Sequence, residues 1–274
     1  MKKEEQWLLK EKYSGKATKK FYADVKRLNA GEPLDYVIGF TEFLGCKIDL
    51  SQKPLIPRPE TEFWVENALQ DICQLAVKKS SVRCLDLFSG SGCIGVAVLA
   101  KTAVLLCLPA GRQATFDFAD SDKRCLEQIK INCKINNIDK KRYKIIKSDL
   151  FNNIKNKYDF ILANPPYIPT KNKKKVQKSV LKYEPKKALF GGADGMFYIN
   201  KFLKQAKKYL NPGGIIYMEF DGSAGSPQVS PQKGAIEKLL RTLRRGSGRF
   251  CGTEYSNFEF KKDQYGKYRW VVIS

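Results

Sequence analysis

The fold is decided by the stretch VRCLDLFSGSGCIG, at residues 82–95. Its first part, residues 82–88, is a short apolar run that is typical of a buried strand. The glycines that follow allow a sharp turn, and the apolar residues through about Ala103 predict a helix. A strand, a glycine-rich loop and a helix in this order predict the first unit of an α/β fold.

The same alternation continues on both sides of this unit. The further predicted strands are 114–122, 143–151, 158–167, 214–220, 254–261 and 267–273, with strand-like, turn-rich text from Tyr36. The predicted helices are Glu4–Tyr13, Thr18–Leu28, Thr61–Val77, 125–136, 196–210 and 234–245. The sequence therefore predicts a doubly wound, mostly parallel seven-stranded sheet that closes with an antiparallel hairpin.

The chain divides into three regions by pattern. Residues 1–32 hold two short helical patterns, residues 33–80 are a connecting hairpin and helix region, and residues 81–274 hold the alternating strands and helices. Two stretches, 105–114 and 222–234, are interpreted as inserted surface loops, because they interrupt the alternation without an apolar period of their own.

The composition narrows the function classes. Lysine and arginine outnumber aspartate and glutamate by 50 to 28, so the chain carries a formal charge of +22. Such a charge attracts nucleic acid, a ribosome or an acidic partner, although a lysine-rich residue usage across the whole chain explains it equally well. The N-terminus has no apolar signal-peptide core and no stretch reaches the length of a membrane span, so we expect a cytosolic protein without a membrane partner.

The absence of histidine from the sequence excludes several kinds of site. Catalytic triads with a histidine, histidine-ligated metals and histidine general bases are all ruled out. Eight cysteines occur without a CxxC pair, which predicts neither a zinc site nor a disulfide scaffold. We therefore expect chemistry that needs no metal and no histidine.

The glycine-rich loop is a candidate ligand-binding site at a helix N-terminus. It consists of Phe88, Ser89, Gly90, Ser91 and Gly92. With Gly95 it forms a GxGxxG pattern, so a nicotinamide oxidoreductase has to be considered, as does a tight turn without a ligand. Asp86, four positions before Gly90, favours a cationic aminoacid-nucleoside that lacks a pyrophosphate.

Two later strand ends carry further candidates. Asp120 closes the second predicted strand, where a carboxylate can accept hydrogen bonds from both ribose hydroxyls, although an N-cap role is the alternative. Asp149 and Leu150 follow the third strand, where they can meet an adenine edge and face or simply form a turn.

The most informative motif is the NPPY sequence directly after the apolar strand YDFILA. It consists of Asn164, Pro165, Pro166 and Tyr167. The nitrogen of an amide or aromatic amine is a poor nucleophile because its lone pair is delocalised, so a site that alkylates it must hold the NH₂ rigidly. The Asn164 side-chain oxygen and the Pro165 carbonyl can each accept one N–H, and Tyr167 offers a face for stacking. The alkylated nitrogen is acidic enough to lose its proton to water, so no general base is required.

At this point the sequence resembles the HemK/PrmC-type release factor glutamine N5-methyltransferases. The resemblance is carried in order by YVIGFTEFLG (36–45), PLIPRPETE (54–62), LDLFSGSGCIG (85–95), ADSDKRCL (119–126), SDLF (148–151), NPPYIP (164–169), YEPKKALFGGADGM (183–196) and LNPGG (210–214). It implies the class I S-adenosylmethionine-dependent methyltransferase fold and, as substrate, the glutamine of a Gly-Gly-Gln tripeptide in class I release factors.

The resemblance also implies residue roles. Residues 88–92 and Asp120 would bind S-adenosylmethionine, Leu150 would lie near the adenine, and residues 164–167 would hold the substrate glutamine. Asp86, Asp149 and Asn164 complete the predicted cofactor-binding residues. The chain departs from the family at Phe88, where glycine is usual, and at Glu219-Phe220-Asp221-Gly222, where an acid-isoleucine-glycine pattern is common. Only about 35 residues correspond to the helical N-terminal domain of the family.

The main rival is a DNA or RNA adenine-N6 methyltransferase, which shares NPPY and would explain the positive charge. Five lysines follow the motif closely: Lys171, Lys173, Lys174, Lys175 and Lys178. No separate target-recognition domain is visible, which counts against this rival. A nonenzymatic protein that docks on ribosomal RNA is a further alternative, but it would have no need of NPPY at a strand end.

Overall fold

The computed structural model describes residues 1–104, 113–221, 231–244, 255 and 257–274. Its strands are β1 (Phe40–Phe43), β2 (Cys46–Asp49), β3 (Ser81–Leu87), β4 (Gln113–Asp120), β5 (Tyr143–Lys147), β6 (Tyr158–Ala163), β7 (Leu210–Glu219), β8 (Phe258–Lys262) and β9 (Tyr268–Ile273). Its α-helices are α1 (Lys3–Tyr13), α2 (Lys19–Asn29), α3 (Leu34–Ile38), α4 (Pro59–Lys78), α5 (Cys93–Val104), α6 (Lys123–Ile135), α7 (Lys178–Tyr183), α8 (Lys186–Leu189), α9 (Phe197–Ala206) and α10 (Pro231–Arg244).

One seven-stranded sheet organises the molecule, in the order β5-β4-β3-β6-β7-β9-β8. Strands β5, β4, β3, β6 and β7 run parallel, and β9 pairs antiparallel with both β7 and β8. The predicted doubly wound sheet and its antiparallel closing hairpin are thereby confirmed. The strand order reverses direction at the adjacent pair β3 and β6, which is where open α/β sheets place their ligands.

The apolar core lies on both faces of this sheet. Trp64 of α4 and Ile94 of α5 pack in the cluster on one face, and Ile199 of α9 and Leu240 of α10 pack in the cluster on the other. The N-terminal helices form a separate small cluster around Leu8, Phe21 and Val37. Of the helices that the structure describes, none is both long and apolar enough to cross a membrane.

Several predicted boundaries were wrong. The predicted strand 143–151 ends at Lys147, because Ser148 and the three residues after it form a turn in which the Ser148 hydroxyl donates to the Leu150 carbonyl. The predicted helix 196–210 ends at Ala206, and β7 begins at Leu210 rather than at Gly214. The sequence LNPGG had indicated a break, but Leu210 already pairs with Tyr158, and an irregularity in the ladder absorbs the following residues.

Other differences concern short elements. The strand-like text from Tyr36 contains the short helix α3 before the β1–β2 hairpin, and α7 and α8 had not been predicted. The proposed loop 222–234 includes the first turn of α10, where Pro231 suits the helix start, and residues 113 and 114 of the proposed loop 105–114 belong to β4. The remainder of both stretches lies outside the described residues, as do Cys107, Cys251 and residues 254 and 256 of the predicted strand 254–261. The strand itself begins only at Phe258.

Candidate active site

A cavity opens at the carboxyl ends of β3, β4, β5 and β6, beside the point where the strand order reverses. Nine of the residues singled out in the sequence lie on its wall: Phe88, Ser89, Gly90, Ser91, Asp120, Asp149, Leu150, Asn164 and Pro166. Asp86, Gly92, Pro165 and Tyr167 are not on this wall. The fold thus brings candidates from four separate strand ends into one place.

The glycine-rich loop is fixed by Ser89. Its hydroxyl donates to the carbonyl of Asp86 at 2.6 Å and accepts from the backbone N–H of Ala119 at 2.9 Å, which ties the ends of β3 and β4 together. Phe88, Gly90 and Gly92 have φ values of 66°, 54° and 77°, so the loop turns through left-handed backbone conformations. A Cβ on Gly90 would meet nothing closer than 3.9 Å, which leaves room for a ligand to approach the backbone.

Asp120 joins this loop to the cavity. Its Oδ2 accepts from the N–H of Gly90 at 2.9 Å, and its Oδ1 accepts from the N–H of Asp122 at 2.8 Å. The N-cap of α6 is Asp122, which accepts from the N–H of Arg124, so the alternative role considered for Asp120 is filled by another residue. Burial raises the pKa of Asp120, against the hydrogen bonds that it accepts. Each carboxylate oxygen retains a lone pair for a further donor.

Asp86 lies beneath the loop rather than in the cavity. It is fully buried, its Oδ2 accepts from the N–H of Gly95 at 3.2 Å, and its Oδ1 has no hydrogen-bond partner. Burial raises the pKa of Asp86 to about 7. A Cβ on Gly95 would lie 2.3 Å from the Phe118 ring, so that glycine lets α5 pack closely on β4.

The turn after β5 supplies an apolar part of the wall. Leu150 has a φ of 50° and is largely buried, and its carbonyl accepts from the Ser148 hydroxyl at 2.7 Å. Asp149 beside it is exposed, and its carbonyl accepts from the N–H of Asn152. Both residues form a turn and line the cavity, so the two readings of the sequence are compatible.

The NPPY segment leaves β6 at the cavity and is held from behind. The Asn164 amide donates from Nδ2 to the Thr61 hydroxyl at 3.3 Å. Thr61 in turn donates to Glu219 at 2.7 Å, and the Tyr167 hydroxyl donates to the same carboxylate at 2.9 Å. Glu219 is buried, which raises its pKa against the hydrogen bonds that it accepts.

The segment ALFGGADG (188–195) braces the NPPY segment. Ile168 and Phe190 form an isolated parallel bridge, and Gly191 donates its N–H to the Ile168 carbonyl at 3.0 Å. A Cβ on Gly191 would lie 2.3 Å from the Pro166 carbonyl oxygen, and one on Gly195 would lie 2.2 Å from that of Tyr167. Only glycine permits this approach, so the two segments fix each other's backbone.

An ion pair with a buried carboxylate joins the PLIPRPETE segment (54–62) to the region that follows NPPY. Glu184 accepts from the N–H of Ile56 at 3.2 Å and from the Arg58 guanidinium at 2.6 Å. Ile56, Arg58 and Thr61 lie on the cavity wall, as do Pro185 and Lys187. Both segments had been noticed as motifs, but the sequence analysis assigned no role to their residues.

Thr61 and Glu219 are the site residues that the sequence analysis missed. Thr61 belongs to the motif PRPETE, and Glu219 is the last residue but one of the predicted strand 214–220, where a carboxylate after an apolar run is itself a signal. Among the described residues, no group of three or more His, Cys, Asp or Glu side chains could hold a metal ion.

Known proteins share both the fold and the sequence. The family model of the methyltransferase small domain matches residues 69–193. The fold is similar to a methyltransferase from Pyrococcus furiosus, with a TM-score of 0.53 and 16% identity over 84% of this chain and 88% of that one. It is also similar to the hMettl16 catalytic domain, with a TM-score of 0.57 and 16% identity over 84% of this chain and 75% of that one.

The sequence is similar to curated release factor glutamine methyltransferases. That of Streptococcus pneumoniae is 32% identical over 97% of this chain and 83% of its own length. That of Thermodesulfovibrio yellowstonii is 37% identical over 71% of this chain and 66% of its own length. By this extent of similarity the chain belongs to the release factor glutamine methyltransferase family.

Proposed function

We propose that the chain transfers a methyl group from S-adenosylmethionine to the side-chain amide nitrogen of the glutamine in the Gly-Gly-Gln motif of class I release factors. The observation that carries this proposal is the placement of Asn164 on the same cavity wall as the glycine loop and Asp120. A planar NH₂ group and a methyl donor can therefore meet in one enclosed place. The names of the similar proteins support the same substrate.

The residues of the cavity fit S-adenosylmethionine, which supplies an electrophilic methyl group on a sulfonium. The backbone of Gly90 is open to close approach, and Asp120 has lone pairs left to accept from ribose hydroxyls. Leu150 offers an apolar surface for the adenine, and Asp149 lies beside it. Asp86 lies beneath the loop, and because burial raises its pKa to about 7, a cationic donor bound above it would favour its ionised form.

The substrate amide would be held by two acceptors. Asn164 donates with Nδ2 to Thr61, so its Oδ1 is left to accept one N–H of the glutamine. The Pro165 carbonyl would accept the other, and Pro166 and the adjoining Gly191 limit the movement of this backbone. We assign Tyr167 the role of stacking on the amide, with its ring oriented by the hydrogen bond to Glu219. Water would take the proton that the methylated nitrogen loses.

Partner recognition is a separate part of the proposal. We propose that residues 1–32 act as a helical recognition segment, residues 33–80 as the connection and residues 81–274 as the methyltransferase domain. Contacts support a link between the first segment and the site, since the Tyr183 hydroxyl donates to the Ala30 carbonyl at 3.1 Å. A substrate that acts in translation also supports a cytosolic location.

An adenine-N6 methyltransferase remains the second candidate because of one specific feature. Residues 170–187 contain eight lysines, all exposed, and a single acid, Glu184, which is buried and paired with Arg58. This basic segment lies beside the cavity mouth and would attract phosphates or an acidic protein surface.

Methyl transfer from labelled S-adenosylmethionine decides between the two candidates. The purified protein is offered a release factor and duplex DNA in parallel, and mass spectrometry locates the label. We expect it on the glutamine of Gly-Gly-Gln, and we expect Asn164→Ala to abolish transfer while cofactor binding persists. Label on adenine would replace the proposed substrate by the second candidate.

A further inference from the structure

A buried chain of hydrogen bonds ends at Asn164 and begins at Glu219. Glu219 is 1% exposed, at the end of β7, and does not lie on the cavity wall. Its Oε2 accepts from the Thr61 hydroxyl and from the Trp64 indole N–H, both at 2.7 Å. Its Oε1 accepts from the Tyr167 hydroxyl at 2.9 Å. The carboxylate is thus surrounded by donors.

The direction of each hydrogen bond in this chain is determined by the one before it. Oε2 is an acceptor, so the single hydrogen of the Thr61 hydroxyl must point at it. The Thr61 oxygen then has only lone pairs to offer Asn164. The Asn164 amide must therefore present its NH₂ to Thr61, which leaves Oδ1 as the atom that can face a substrate N–H.

Trp64 secures this polarity. An indole N–H can only donate, so the atom that it contacts must be an acceptor in every state of residue 219. A proton on Glu219 would have to reside on Oε1, where the Tyr167 hydroxyl can accept as well as donate. The orientation of Asn164 is therefore independent of the charge on Glu219.

We infer that Glu219, through Thr61, is the positioning residue that turns the Asn164 carbonyl oxygen toward the substrate amide. With the opposite orientation, Asn164 would present NH₂ to NH₂ and could not hold the nucleophile. This inference rests on the proposed function, in which Asn164 accepts an N–H of the glutamine.

Kinetics of four variants test the polarity. Thr61→Val keeps the shape but removes the hydroxyl, and we expect kcat to fall about 100-fold while KM for the release factor and the Kd of S-adenosylmethionine stay within about 3-fold. Thr61→Ser should restore kcat to within about 5-fold of the wild type. Glu219→Gln should also stay within about 5-fold, because Trp64 forces the amide oxygen into the Oε2 position. The kcat of Trp64→Phe should also stay within about 5-fold of the wild type. The Glu219 carboxylate has only acceptor atoms, so it still fixes the direction of the Thr61 hydroxyl without the indole.

The double variant Glu219→Gln with Trp64→Phe provides the sharpest comparison. Without the indole nothing forces the amide oxygen of the glutamine toward Thr61, so both orientations become populated and we expect kcat to fall further than the two single effects combined. Melting temperature and cofactor affinity verify folding in each variant. A normal kcat in Thr61→Val would overturn the inference, and so would a Glu219→Gln variant as inactive as Thr61→Val, since charge rather than polarity would then matter.

A measurement without a substrate separates this inference from the proposed function. The side-chain amide NMR signals of Asn164 are identified by their loss in Asn164→Asp. We expect slow solvent exchange of one amide hydrogen in the wild type and in Glu219→Gln, and fast exchange in Thr61→Val. Equal exchange in all three would overturn the positioning role, whereas a wild type that labels adenine would overturn only the substrate.

Discussion

Replacing Asp86 by asparagine should change the pH dependence of stability in a defined way. Asp86 is fully buried with one unpartnered oxygen, and burial raises its pKa to about 7. In the unfolded chain an aspartate has a pKa of about 3.9. Between these two pKa values the folded state holds a proton that the unfolded state has lost. The free energy of unfolding therefore falls as the pH rises through the folded pKa.

The size of the effect follows from the two pKa values. Between about pH 5 and pH 8 the contribution of Asp86 to the free energy of unfolding should fall by about 2.5 kcal/mol. In the asparagine variant this term is absent, and an unpaired buried N–H costs about 1–3 kcal/mol at every pH. The stability difference between wild type and variant should therefore shift by about 2.5 kcal/mol in favour of the variant between these pH values, which corresponds to about 5–10 °C in melting temperature for a chain of this size.

Urea unfolding of the cofactor-free proteins at both pH values measures this difference. Asp159→Asn is the matched control. Burial opposes its ionisation, but hydrogen bonds from Lys79, Arg83 and Asn211 outweigh it and lower the pKa of Asp159. The contribution of Asp159 to the free energy of unfolding is lost only in acid. Asp159→Asn should therefore lower the free energy of unfolding by the same amount at both pH values. If Asp86→Asn behaves like the control, Asp86 is ionised in the folded protein throughout this pH range and burial does not raise its pKa.

Three further predictions concern binding, catalysis and recognition. Asp120→Ala should weaken S-adenosylmethionine binding about 10–100-fold by calorimetry, as expected for the loss of a charged hydrogen-bond acceptor, and an unchanged Kd would remove its ribose role. Gly191→Ala should lower kcat about 10–100-fold because the new Cβ would collide with the Pro166 carbonyl, whereas Gly234→Ala, which meets nothing within 4 Å, should leave kcat unchanged. Replacing Lys173, Lys174 and Lys175 by glutamate should raise KM for the release factor about 10-fold at low salt but not at high salt. The same replacement at the exposed residues Lys140, Lys141 and Lys144 is the control and should leave KM unchanged.

The sheet could be predicted from the sequence because its parallel strands are short apolar runs separated by clear turn signals. The errors occur where local signals conflict with tertiary pairing. The sequence NPGG favours a break, but Leu210 extends β7 upstream of it by pairing with Tyr158. Helices α7 and α8 are only 6 and 4 residues long, too short for an apolar period to appear.

The candidate site was predictable only in part. Asp120 and Asn164 each lie at the carboxyl end of a parallel strand. They could be predicted as site residues because these strand ends meet at one edge of the sheet. Thr61 and Glu219 are 158 positions apart, and nothing local to either indicates the other. Their contact results from the packing of α4 against the sheet, which periodicity predicts as a buried face without specifying the partners.

The arrangement around NPPY explains how one motif can serve different substrates. In the proposed function, Asn164 and the Pro165 carbonyl hold a planar NH₂ group, which glutamine and adenine both carry. The surrounding wall has a more defined shape, because Glu184 holds Ile56 and Arg58 against the segment after NPPY, and Gly191 fits against the Pro166 carbonyl. These contacts fix the space beside the NH₂ group rather than the group itself. We therefore propose that substrate choice depends on the PLIPRPETE and YEPKKALFGGADG segments, and methyl transfer on Asn164 and the residues that orient it.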